Sequence, residues 1–179
     1  MRILAALLVL LTGCGGCVSV PPLESLRATT LRLEFADALC SGTAIGPDLI
    51  LTAKHCYTTP LLRVNGQPVT VTKVGKDKHD TLTLRIKGVT FKHWARVGAL
   101  PKQGDRIKWW GNPEGNPDIY REGYVSRANK DLIVIDATIC HGDSGAGIFN
   151  SQGEVVAVVT AMSSPYGCTF MLSYPLPTA

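Results

Sequence analysis

The sequence predicts an all-β fold, and three observations predict it. From Thr30 onward, short runs of Val, Ile, Leu and Thr are broken every few residues by Gly, Pro, Asn or Asp, the composition of strands and turns. Beyond the first dozen residues no segment sustains a 3.6-residue apolar period over helical length. The runs fall into two sets of six, separated near residues 98–104, where Pro101, Gln103 and Gly104 break the pattern. Many short strands at close spacing make a sandwich or barrels.

The N-terminus is a separate element. One basic residue, Arg2, precedes an unbroken apolar run from Ile3 to Leu11. At 1.5 Å per residue the run spans about 14 Å of helix, against a hydrocarbon core of about 30 Å. That is the length of a signal peptide, assigned here to residues 1–13, and too short to span a bilayer. Leu11-Thr12-Gly13-Cys14 follows directly and resembles the bacterial lipobox, in which the Cys is acylated and becomes the mature N-terminus. Gly15, where an Asp would signal retention at the inner membrane, implies passage to the outer membrane, facing the periplasm. Residues 14–29, with Pro21-Pro22, are expected to form a tether.

The first set of strands is expected at 31–36, 42–45, 49–53, 61–64, 69–74 and 82–86, within a unit covering 30–100. The second is expected at 106–111, 119–127, 132–137, 147–150, 155–161 and 170–174, within a unit covering 101–179. Gly46-Pro47-Asp48, Asn65-Gly66 and Ser151-Gln152-Gly153 supply turns between them. Of Trp109 and Trp110, alternation puts one in the core of the second unit and leaves the other exposed near the cleft.

With 179 residues, 45% hydrophobic and 18% charged, the chain has the composition of a folded protein and not of a disordered one. The net charge of +4 comes from scattered Lys and Arg, with no basic run, so nucleic acid is not an expected partner. Six Cys, at 14, 17, 40, 56, 140 and 168, fit an exported protein. With Cys14 acylated, Cys17 is the odd one, and the remaining four can pair in three ways. No paired CxxC spacing suggests zinc, and no metal or cofactor is expected.

Three places carry groups suited to chemistry. A strand-like run, Leu49-Ile50-Leu51-Thr52-Ala53-Lys54-His55-Cys56, delivers a His at its end. Asp80 stands at the mouth of an alternating strand, and Ser144 sits in the glycine-rich loop Cys140-His141-Gly142-Asp143-Ser144-Gly145-Ala146-Gly147. A neutral hydroxyl is a weak nucleophile, so acyl transfer by Ser needs a base to take its proton and a third group to fix that base. Glycines beside the Ser allow backbone N–H groups to converge on one oxyanion. His79, His93 and His141 are rivals for the base, and Asp77 for the acid.

The order His, Asp, Ser, with a Gly-Asp-Ser-Gly loop and an Ala-Lys-His-Cys turn, resembles the chymotrypsin-like serine proteases over about residues 30–174. The resemblance implies two six-stranded antiparallel β-barrels with the site in the cleft between them. It implies His55 as general base, Asp80 as its orienting carboxylate and Ser144 as nucleophile, with the N–H groups of Gly142 and Ser144 forming the oxyanion hole. It also implies disulfides Cys40–Cys56 and Cys140–Cys168, a protein or peptide substrate, catalysis without a cofactor, and a monomer.

Departures from the family narrow the expectation. No activation sequence precedes the body, so Asp143 is not expected to wait for a newly cut amino terminus. Thr138 falls at the base of the specificity pocket, where a carboxylate would select Lys or Arg. Thr160 and Met162 fall on its wall and His141 at its rim, which together imply small or medium uncharged residues at the cleaved position. The same unusual pocket also fits a second reading, a protease-fold envelope lipoprotein that binds rather than cleaves.

Overall fold

A computed structural model describes residues 21–76, 79–163 and 170–176. The first set of strands is β1 (Thr30–Phe35), β2 (Leu39–Gly46), β3 (Leu49–Ala53), β4 (Leu61–Val64), β5 (Gln67–Pro68), β6 (Thr70–Lys76) and β7 (Thr81–Lys87). The second is β8 (Arg106–Gly111), β9 (Ile119–Ala128), β10 (Ile133–Asp136), β11 (Gly147–Phe149), β12 (Val155–Val158), β13 (Ala161–Ser163) and β14 (Phe170–Ser173). Each set forms one antiparallel sheet, in the order β5-β4-β1-β2-β3-β7-β6 and β12-β11-β8-β9-β10-β14-β13.

Both sheets curl on themselves. In the first, β4 comes round to meet β6. In the second, the buried Ser173 hydroxyl on β14 donates to the Val158 carbonyl on β12 at 2.5 Å and accepts from the Val158 N–H at 3.2 Å.

The expectation of six strands per barrel is corrected to seven. In the first barrel the extra strand is β5, two residues long, which follows the Asn65-Gly66 turn. Both turn residues have positive φ, 49° and 77°, as a tight hairpin requires, and Pro68 then leaves the ladder without a donor. In the second barrel the single run expected at 155–161 bends at Val159-Thr160 into β12 and β13, the two edges of the sheet.

Strand alternation places the core. In β1, Leu31, Leu33 and Phe35 are buried while the residues between them are only partly so. Leu33, Ile50 and Leu84 fill the first barrel, and Ile107, Trp109, Ile133, Ile135, Ile148 and Met171 the second. Trp109 and Trp110 do point to opposite faces of β8, but the expected exposure of one of them is wrong. Trp110 is 4% exposed and packs on Phe149 in the first cluster, at the seam between the barrels. The folded body also begins before Thr30, because Leu23–Arg27 forms a short helix, α1, whose Leu26 is buried in the first core.

The disulfide Cys40–Cys56 joins β2 to the turn after β3, closing a separation of 16 residues. Chain-entropy reasoning gives a loop of this size about 3 kcal/mol. Reducing the protein should therefore lower its unfolding free energy by about 3 kcal/mol in urea titrations run with and without reductant; coincident curves would contradict this.

Candidate active site

Strand register brings His55 and Asp80 together. β3 and β7 are antiparallel with Ala53 opposite Thr81, so the residues just beyond the ladder, Lys54 and Asp80, also face each other. The Lys54 N–H donates to the Asp80 carbonyl at 3.1 Å. There the chain tightens into a single 3₁₀ turn, Lys54–Cys56, which lifts His55 out of the strand. Both Asp80 carboxylate oxygens then serve His55: Oδ1 accepts its backbone N–H at 2.9 Å, and Oδ2 lies 2.6 Å from ring Nδ1. A carboxylate has no proton to give, so Nδ1 carries the hydrogen and Nε2 is left as an acceptor. The His55 side chain is 45% exposed and thus open to a reactant.

The Ser144 loop is seated on the first barrel by backbone geometry. Gly145 has φ 90°, and a Cβ there would lie 2.1 Å from the Ser41 carbonyl, 2.2 Å from Thr52 Oγ1 and 3.1 Å from the Ala53 N. Only glycine permits this approach to the end of the strand that delivers His55. The Ser144 carbonyl accepts the Ser41 N–H at 2.8 Å and lies 3.8 Å from the sulfur of Cys56, the residue after His55. Gly142 has φ 96°, and a Cβ there would meet the Asn112 carbonyl at 2.2 Å. Among the described residues, the N–H groups of Gly142 and Ser144 have no hydrogen-bond acceptor.

The other expected site residues have the following surroundings. Thr138 is exposed, with its carbonyl accepting from Arg121 at 3.1 Å. His141 is exposed, and its carbonyl accepts the Glu114 N–H at 2.7 Å. Thr160 is buried and turns its hydroxyl back to the Val158 carbonyl at 3.0 Å. Met162 lies on β13, opposite Met171 of β14. Cys40 and Cys56 are joined; Cys140 has no disulfide partner among the described residues, and Cys14, Cys17, Cys168 and Asp77 lie outside them.

The family description "Trypsin-like peptidase domain" matches residues 40–158. The chain belongs to that family. Curated relatives include the periplasmic serine endoprotease DegP of Escherichia coli K12, 28% identical over 160 residues, which takes in 79% of this chain and 34% of that one. A probable periplasmic serine endoprotease of DegP type from Buchnera aphidicola is 25% identical over 158 residues, 75% of this chain and 34% of its own. This chain thus spans about a third of the length of these relatives. Among solved structures, the active form of the protease Rv3671c from M. tuberculosis superposes with a TM-score of 0.72 at 19% identity, covering 87% of this chain and 80% of the other. An inactive mutant form of the same protein gives 0.72 at 17% identity, covering 88% and 86%. These superpositions establish the two-barrel fold.

Sequence reasoning missed four residues that shape the site: Ser41, Asn112, Gly111 and Arg121. The buried Ser41 hydroxyl donates to the Gly142 carbonyl at 2.8 Å and accepts from the Asn112 N–H at 3.1 Å and its Nδ2 at 2.7 Å. Asn112 Nδ2 also reaches the Leu31 carbonyl at 3.3 Å. Asp143, wholly buried, accepts the Cys140 N–H on Oδ2 at 2.9 Å, and Arg121 stands 3.5 Å from the same oxygen. A Cβ at Gly111 would lie 1.9 Å from Asp143 Oδ1, so glycine makes room for the carboxylate. Ser41 is one of two small polar residues in β2, with Thr43, and its partners lie too far along the chain for a short-range signal to have marked it.

Burial pushes the Asp143 carboxyl above its usual value, against the lowering effects of the Cys140 N–H and of Arg121. The unfolded chain releases this proton at ordinary carboxylate pH and the folded chain only higher. Stability therefore falls as pH rises from the ordinary carboxylate range through the raised folded value, and is level above it. Unfolding free energies measured against pH should show the wild type losing stability relative to Asp143→Asn across that window. Parallel curves would contradict the raised value.

Proposed function

We propose that this chain is a serine endopeptidase that cleaves peptide bonds through an acyl-enzyme. The observation that carries the reading is the His55–Asp80 pair, held at 2.6 Å and 2.9 Å beside a Ser144 loop whose two N–H groups have no acceptor among the described residues. Nε2 of His55 takes the Ser144 hydroxyl proton as the oxygen attacks the substrate carbonyl, and the resulting imidazolium is stabilised by Asp80. The Gly142 and Ser144 N–H groups donate hydrogen bonds to the developing oxyanion. His55 then returns the proton to the leaving amine, and water, activated by the same imidazole, hydrolyses the ester and restores Ser144.

By the family resemblance Thr138 would stand at the pocket base with Thr160, Met162 and His141 around it, favouring small or medium uncharged side chains at the cleaved position, and a Cys140–Cys168 disulfide would brace that pocket. Export to the periplasm is supported by the apolar run at residues 3–11 and by the periplasmic relatives. Acylation of Cys14, anchoring the enzyme at the outer membrane, is supported by the Leu11-Thr12-Gly13-Cys14 motif. A binding lipoprotein is the weaker reading, since a binding surface has no use for an imidazole fixed at one nitrogen and open at the other.

Labelling of the purified chain with a fluorophosphonate probe tests the mechanism without knowledge of the substrate. The wild type should label, and Ser144→Ala should not, with peptide hydrolysis falling by about four orders of magnitude or more. An oxidised, folded wild type that fails to label would overturn the proposal.

A further inference from the structure

We propose that the face around Trp94 rests on the anionic phospholipid surface to which Cys14 is anchored; the proposal deepens the lipid-anchored reading and rests on it. The connector between the barrels carries three of the exposed large apolar residues in seven positions: Trp94 at 51%, Val97 at 39% and Leu100 at 43%. The exposed cations Lys92, Arg96 and Lys102 alternate with them, and these three form no ion pair among the described residues. An aromatic residue interleaved with Lys and Arg suits a headgroup layer, where the ring sits at the interface and the cations meet lipid phosphates.

This exposure is built in. Backbone bonds pin the connector to both barrels: the Ala95 N–H to the Ala44 carbonyl at 2.9 Å, the Val155 N–H to the Arg96 carbonyl at 2.8 Å, and the Gly98 N–H to the Val155 carbonyl at 2.8 Å. The side chains at 94 and 97 are thus held outward by fixed backbone. Of the acidic groups nearby, Glu24 is paired with Arg27, while Glu154 and Asp105 accept from the neutral Asn150 amide at 3.1 Å and the Lys102 N–H at 2.8 Å and keep their charge, so the three cations still outnumber them.

The chain enters the fold on this same face. Pro21 lines one groove with Lys92, Trp94 and Arg96, and it packs so closely on Gly153 that a Cβ there would lie 3.0 Å from its ring. Cys14 lies seven residues before Pro21, a reach of about 25 Å at full extension. An acyl chain in the bilayer therefore holds the Trp94 face, before any other, within reach of the headgroups.

Trp94 is the reporter, because Trp109 and Trp110 are buried. The full mature chain is reconstituted in vesicles of phosphatidylcholine with or without phosphatidylglycerol, each carrying a headgroup-proximal nitroxide lipid. Tryptophan quenching should appear with phosphatidylglycerol, weaken with added salt, vanish in Trp94→Phe, and drop about tenfold in apparent lipid affinity in Lys92→Glu/Arg96→Glu. Both variants should hydrolyse a soluble peptide as the wild type does, which shows that they are folded.

Mass spectrometry of the same sample reads acylation at Cys14. An acylated chain without Trp94 quenching overturns the docking face and leaves the anchor standing. A chain without the acyl group overturns the anchor, and its quenching on added anionic vesicles then decides the face alone: present, the face binds lipid; absent, the proposal fails. Quenching equal in both vesicle types also overturns it, since charge would then play no part.

Discussion

The Ser41 hydroxyl is the point on which the site's geometry turns. It has one proton to donate and two lone pairs to offer, and all three are used, toward the Gly142 carbonyl, the Asn112 N–H and the Asn112 side-chain amide. Its backbone N–H adds a bond to the Ser144 carbonyl. A residue of the first barrel thereby grips both ends of the short segment that carries Ser144 and the N–H groups proposed to bind the oxyanion. Because Ser41 is wholly buried, water cannot replace any of these bonds, and losing the hydroxyl would leave a carbonyl and an amide unsatisfied.

Everything else about the site follows from where that grip falls. Thr52, next to the end of β3, donates its hydroxyl to the Ser41 carbonyl at 2.8 Å, so the strand that delivers His55 and the residue that holds Ser144 are fixed to each other. The Cys40–Cys56 disulfide adds a covalent tie from the residue before Ser41 to the turn that carries His55. His55 and Asp80 are brought together by the β3–β7 register, which sets Lys54 opposite Asp80, and by the 3₁₀ turn that begins there. The second barrel contributes the complementary shape: a glycine at 145 where a side chain would strike the first barrel, at 142 where one would strike the Asn112 carbonyl, and at 111 where one would strike Asp143.

What was legible in the sequence was local. The alternation of Leu31, Leu33 and Phe35 marks a strand because period two is a property of neighbouring residues, and His55 could be placed because it ends such a run. Asn65-Gly66 announced its hairpin, though not the two-residue arm that Pro68 cuts short. Ser41 was not legible, because its partners stand 71 and 101 residues away and no short-range pattern encodes them. The same holds for Trp110, whose burial depends on Phe149 being brought alongside it on the neighbouring strand β11, and for Arg121, which meets Asp143 only after β9 is folded beside the loop. The α1 helix, at five residues, is too short to show a period and is held by the burial of Leu26 and by the pairing of Arg27 with Asp118. Family resemblance supplied the roles of His55, Asp80 and Ser144; the contacts that hold them in place came only with the fold.

The most direct test of this account is the second-order rate of fluorophosphonate labelling of Ser41→Ala, measured where its circular dichroism and urea titration show it folded. If Ser41 positions the nucleophile loop, labelling should slow by about a hundredfold, the effect of displacing a reacting group by about an ångström, with the His55–Asp80 pair untouched. Labelling at the wild-type rate in the folded variant would contradict it, and would mean that the loop finds its place without the bond from the first barrel.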